Sequence, residues 1–164
     1  MVYDLEDNNG GTLVAKAKFV VNPINDAPLT VSDTISLDEG GTVTLTTNGF
    51  STLLANDTDA ESDTLRAVGV SSPTNGTLSL NANGTFSYVH NGSNTTTDTF
   101  SYKANDGIVD GNTVTITITI NPVNDIPLTV SDTLTVDEAG TVTLTASGSS
   151  TLLDNDTDPE GDSL

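Results

Sequence analysis

Hydrophobic and polar residues alternate with a period of two along most of this 164-residue chain. That period belongs to strands with one buried and one wet face, not to helices. The clearest run is TVTITITI at residues 113–120, with threonine on one face and Val114, Ile116, Ile118 and Ile120 on the other. Similar runs predict strands at 29–31, 35–37, 42–46, 65–70, 77–80, 85–89, 99–104 and 113–120. Gly, Asn and Asp separate them, and no segment carries the periodicity of a long amphipathic helix. In SLNANGTFSY the central Asn-Ala-Asn-Gly predicts a hairpin, with Asn83 and Gly84 expected at positive φ. The runs point Val43, Leu45, Leu65, Val68, Val70, Leu78, Leu80, Phe86, Tyr88, Phe100, Tyr102 and the four aliphatics of the last strand inward. Each contributes about 1.5–3 kcal/mol when fully buried, a modest sum against the conformational entropy of a domain this size. Strands with a single apolar face predict two sheets packed face to face.

The pattern also repeats over a longer distance. Residues 22–65 return without a gap as residues 121–164, a spacing of 99 with 31 of 44 positions identical, which marks a tandem array. The N-terminal segment continues the register: Tyr3 aligns with Tyr102, Asp7 with Asp106, and Ala15, Ala17, Phe19 and Val21 with Val114, Ile116, Ile118 and Ile120. The expected organisation is residues 1–21 as the C-terminal strands of a preceding repeat, 22–120 as a complete repeat, and 121–164 as the N-terminal part of the next. The linkers NPINDAP and NPVNDIP hold two prolines and no glycine, so they predict stiff connections.

Composition narrows the function. Only Lys16, Lys18, Arg66 and Lys103 oppose 23 acidic residues, and the formal charge of -19 disfavours nucleic acid as a partner. The absence of cysteine excludes a disulfide framework, a thiolate metal site and a thiol nucleophile. The lack of a long apolar stretch and the acidic N-terminus predict no membrane insertion in this segment and no signal peptide within it. His90, the one histidine, reads as a surface residue at a strand end. No Ser-His-Asp order, HExxH or GxSxG occurs, and acids that recur in successive repeats are unlike an active site, so no enzyme is expected. Lys16 and Lys18 fall on an outward face and Lys103 flanks Tyr102, which favours surface roles over isopeptide cross-links. Phe50, Tyr3 and Tyr88 are the aromatics left for an exposed platform, few for a glycan-binding surface.

The acids themselves cluster: Asp33, Asp38 and Glu39, then the NDTDAESD run at 56–63, Asp98, and the NDG at 105–107. Carboxylates gathered at domain ends repel unless a cation offsets them. Calcium takes six to eight oxygen ligands, and Asp-x-Asp in a turn lets alternate side chains face one ion; magnesium dehydrates too reluctantly to suit such a set.

The NDxP linkers, the LLxNDTDxExDxL block, the NGTFxY hairpin and the DTFSYxxxDG strand together resemble the bacterial cadherin-like tandem repeats of large surface and secreted adhesins. The resemblance spans essentially the whole chain. It implies an all-β fold, a cadherin-like or Ig-like Greek-key β-sandwich of about seven strands, in tandem, with calcium between consecutive repeats. Carried over by motif, the first junction would use Asn25, Asp26, Asp57, Asp59 and Asp106, and the second Glu39, Asp98, Asn124, Asp125, Asp156 and Asp158. Pro23 and Pro122 replace an acid of the cadherin linker and a later Asn is missing, so fewer ions are expected than in cadherins. Ser62 stands where Gly161 stands in the second copy, and is expected to alter the turn after Asp-x-Asp.

The resemblance implies a structural extender of a calcium-stiffened cell-surface adhesin, extracellular or secreted. Its partners would be neighbouring repeats of the same chain or neighbouring subunits. The alternatives are a subunit of a self-assembling filament or surface layer, and a carbohydrate- or protein-binding module.

Overall fold

The computed structural model describes residues 2–16, 18–143 and 145–164. Seven strands form two sheets: β3 (Thr34–Asp38), β4 (Thr42–Val43), β5 (Arg66–Ser71), β6 (Gly76–Leu80), β7 (Phe86–His90), β8 (Thr97–Asn105) and β9 (Val114–Asn121). A separate hairpin, β1 (Val2–Glu6) with β2 (Thr12–Lys16), precedes them. One sheet runs β3-β9-β8-β5 and the other β4-β7-β6. Among the described residues, only β3 and β9 pair in parallel. This is the all-β sandwich that the alternation predicts.

Parity explains the core. In β9, Ile116, Ile118 and Ile120 are buried while the intervening threonines are exposed. Phe100, Tyr102 and Ala104 do the same in β8, and Phe86 and Tyr88 in β7. Ile35, Leu37 and Leu53 close the cluster from β3 and from a 3₁₀ turn at Leu53–Asn56. Both buried phenols find partners, as burial of a hydroxyl requires. The Tyr102 hydroxyl donates to Leu53 O at 2.8 Å, and the Tyr88 hydroxyl to Asp98 Oδ2 at 2.9 Å.

Several sequence expectations are corrected. Tyr88 is wholly buried, so it offers no exposed platform, whereas Phe50 is 45% exposed. His90 is 3% exposed rather than a surface residue, because it shares the inward parity of Phe86 and Tyr88. Val68 and Val70 face solvent: Ala67 opposes Ala104 and Gly69 opposes Tyr102, so the alternate residues of β5 point out, with a bulge between Gly69 and Ser71. Leu45 is exposed because β4 ends at Val43 and the chain turns, with Thr46 taking the buried place. The strand expected at 29–31 is a single bridge, Leu29 to Thr58. In the 81–84 turn Gly84 alone takes positive φ, at 81°, and a Cβ there would lie 2.2 Å from Thr52 Oγ1.

The N-terminal hairpin carries the repeat into three dimensions. Tyr3 pairs with Ala15 as Tyr102 pairs with Val114, and Val2 pairs with Lys16 as Ser101 pairs with Thr115, the same register one repeat earlier. β2 covers Thr12–Lys16, whereas β9 covers Val114–Asn121 and lies between β3 and β8. Of the continuation expected there, Phe19 and Val21 are exposed, and Ala17 lies outside the described residues.

Candidate metal centre at the repeat junction

Each linker folds against the acidic block of the repeat that follows it, by the same hydrogen bonds in both copies. Asn25 Nδ2 donates to Asp26 O at 3.0 Å, and Asn124 Nδ2 to Asp125 O at 2.8 Å. Asp26 N donates to Glu61 Oε2 and Asp125 N to Glu160 Oε2, each at 3.2 Å. Val31 N and Val130 N each reach the first acid of Asp-x-Asp, Asp57 Oδ1 and Asp156 Oδ1, at 2.8 Å. The second acid holds its own turn: Asp59 Oδ1 accepts from Glu61 N and Asp63 N, and Asp158 Oδ1 from Glu160 N and Asp162 N. Ser62 does not alter that turn. Its φ is 64° against 80° for Gly161, and both amides donate to the carbonyl of the second acid.

The first junction gathers Asn25 and Asp106 directly, Asn25 Nδ2 donating to Asp106 Oδ2 at 2.8 Å. The N–H groups of Val109 and Ile108, with the Asn25 amide, hold the Asp106 carboxyl below the usual carboxylate range. Asp57 lies deeper, against the Tyr102 hydroxyl, and burial raises it although Val31 N–H and Tyr102 pull the other way. Burial, then the neighbouring Asp57 charge, pushes the 5%-exposed Asp33 up to about 6.

At the second junction the repeat body, the linker and the next repeat each deliver one carboxylate. An oxygen of Glu39, one of Asp125 and one of Glu160 lie within 4.8 Å of one another. Glu39 sits in the turn after β3, where its N–H donates to Asn121 O at 2.9 Å and Gly40 takes a φ of 67°. Three ionised carboxylates at 4.8 Å repel by about 1–3 kcal/mol per pair for effective dielectrics between those of water and a protein surface. Glu39 Oε1 is buried with no hydrogen-bond partner, as is Asp59 Oδ2 at the first junction. Such orphaned oxygens are costly in a protein but suit a hard cation that takes oxygen ligands. The donor set therefore fits calcium, as the resemblance implies.

Of the second-junction residues expected from the sequence, Glu39 and Asp125 meet, and Asn124 shapes the linker beside them. Asp156 and Asp158 brace the turn that presents Glu160. Asp98 is spent elsewhere. It is buried and accepts from Thr74 N, Asn75 N, Thr99 N and the Tyr88 hydroxyl. Burial works to raise Asp98, but these donors outweigh it and hold the carboxyl below the usual range. Glu160 was missed by the motif argument, although its position is glutamate in both copies of the block, Glu61 and Glu160.

No helix among the described residues is long and apolar enough to cross a membrane. Lys16 and Lys18 are exposed, and Lys103 pairs with Asp110 at the surface. No curated protein matches the chain. Among solved structures it is similar to the endo-fucoidan hydrolase MfFcnA4 of glycoside hydrolase family 107, at 19% identity and a TM-score of 0.39, covering 82% of this chain and 22% of that one. A second, MfFcnA9, matches at 19% identity and a TM-score of 0.37 over 73% of this chain and 22% of the other. The chain thus spans about a fifth of the length of those enzymes. The family model described as the bacterial cadherin-like domain matches residues 25–122, the linker, both sheets and the start of the next linker. With seven strands in two sheets and a repeat carried through linker and sandwich alike, the chain belongs to the bacterial cadherin-like domain family.

Proposed function

We propose that this chain is an extender of a bacterial cell-surface adhesin, a run of non-enzymatic sandwich repeats that calcium stiffens at their junctions. The observation that carries the reading is the meeting of Glu39, Asp125 and Glu160, one each from the body, the linker and the following repeat. An ion held there offsets their repulsion and ties three segments whose relative positions set the angle between repeats. Glu39, Asp125 and Glu160 hold it, while Asn124, Asp156 and Asp158 shape the linker and turn that present them. The short Pro-bearing linker supports the same reading, since it limits the angles available even before an ion binds.

Extracellular modules bind calcium at roughly 10⁻⁴–10⁻³ M, so the array would be stiff outside cells and looser where calcium is scarce. Small-angle scattering of a three-repeat protein checks this: millimolar calcium should lengthen the maximum dimension relative to chelator and raise the melting temperature. Unchanged dimension and melting temperature would sink the proposal.

A further inference from the structure

His90 and the loop that follows it connect the two sides of the second junction. The His90 backbone N donates to Gly41 O at 3.0 Å, and Gly40 N donates to His90 Nδ1 at 3.0 Å, so one buried residue holds the turn that carries Glu39. Gly92 N also reaches Nδ1, at 3.3 Å. With Nδ1 accepting, the ring proton sits on Nε2, 3.1 Å from Thr95 Oγ1, and the hydroxyls of Thr95 and Ser93 lie 3.2 Å apart. Between them Asn94 points across the junction, its Nδ2 donating to Glu160 Oε1 at 3.2 Å. Glu160 is thereby aimed by two donors, Asn94 from the preceding repeat and Asp125 N from the linker. Glu39, Asn94, Thr95, Pro122, Pro159 and Glu160 line the cavity between the repeats, about 250 Å³ in volume. At the first junction, Glu61 receives Asp26 N alone among the described residues.

We infer that the 91–96 loop, anchored by His90, is a clasp across the junction, and that His90 and Asn94 are positioning residues for the carboxylates of Glu39 and Glu160. The inference rests on the calcium reading above and deepens it. Groups that orient metal ligands without touching the ion set affinity by about ten- to a hundredfold, and the Asn94–Glu160 hydrogen bond is formed before any ion binds.

Calcium calorimetry on the whole chain tests it, with Asn94→Ala, His90→Phe and His90→Asn beside the wild type. The exposed Asn94→Ala should weaken calcium about tenfold while leaving the melting temperature in chelator unchanged. His90→Phe should weaken it similarly. His90→Asn should restore most of the affinity, because its side-chain oxygen can accept the Gly40 N–H. In chelator, Glu160→Gln should shift the side-chain amide resonances of Asn94. Tight wild-type binding with Asn94→Ala and His90→Phe unaffected overturns the clasp alone, as do Asn94 resonances that ignore Glu160→Gln. A wild-type chain that takes up no calcium overturns both readings.

Discussion

The two copies of the acidic block share their hydrogen bonds and differ in their burial. Asn56 Nδ2 reaches Asp33 Oδ1 at 3.3 Å in the first copy, and Asn155 Nδ2 reaches Asp132 Oδ1 at 3.4 Å in the second. The bridges Leu29 to Thr58 and Leu128 to Thr157 also correspond. Yet Leu53 is fully buried and Leu152 is 54% exposed. The residues that share the core cluster with Leu53, among them Phe86, Tyr88 and Tyr102, follow the block in sequence and have no counterparts in residues 121–164. Turns, caps and linker contacts are therefore set by local sequence, and the core by strands that arrive later.

The sharpest way to break that comparison is to truncate the same leucine twice. Leu53→Ala should cost about 2–5 kcal/mol in denaturant unfolding, whereas Leu152→Ala should change stability by less than about 0.5 kcal/mol. Equal effects would mean that the second copy gains its own core.

A second contrast concerns Asp33, whose carboxyl is raised from 3.8 to about 6. Its Oδ2 and Asn56 Oδ1 are both buried and unpartnered, and a proton on the acid would serve both in one hydrogen bond. Because the folded value lies above the unfolded one, the unfolded chain loses this proton first as pH rises. In chelator, the contribution of Asp33 to stability should be full below about pH 4, fall between about 4 and 6, and then level off, while Asp98 and Asp106, held low, contribute stability that is lost as pH falls. Asp33→Asn should remove that fall and stabilise the chain at pH 7 by up to about 3 kcal/mol. Asp132→Asn, at the more exposed second copy, should do little. A stability difference between wild type and Asp33→Asn that stays constant between those pH values would refute the protonated pairing.

The smallest effect belongs to the turns that the copies have divided between them. Ser62 takes a φ of 64° where the second copy has Gly161, and Ala139 takes 60° where the first has Gly40. A side chain in the left-handed region costs about 1 kcal/mol, so Ser62→Gly should raise unfolding stability by about that amount. Calcium affinity should stay unchanged, since the turn already has the glycine geometry. A loss of stability would show that the Ser62 side chain contributes a contact of its own.

Parity made most of the sandwich legible: the alternating residues of β7, β8 and β9 are the core. It failed at β5, where the partner strand decides which face is inward and a bulge shifts the register, so small Ala67 is the one buried residue and Val68 and Val70 face solvent. The position of His90 at a strand end suggests the surface, whereas its place in the β7 alternation puts it inside. At the junction, the linker Asn-Asp and the Asp-x-Asp could be read because each forms a local turn. Glu160 could not, because its part depends on three segments meeting. The hydrogen bonds that Asp98 accepts are not legible in its motif, because the donors Thr74 and Asn75 come from an irregular segment more than twenty residues away.

The parallel pairing of β3 with β9 also has a mechanical consequence. In a tandem chain, tension enters a repeat near Thr34 and leaves near Asn121, at opposite ends of the ladder that joins Thr34 to Thr117 and Asp38 to Asn121. Pulling there slides the two strands past each other and loads their bridging hydrogen bonds together rather than peeling them one by one. A repeat built this way resists stretching along the direction in which the array extends.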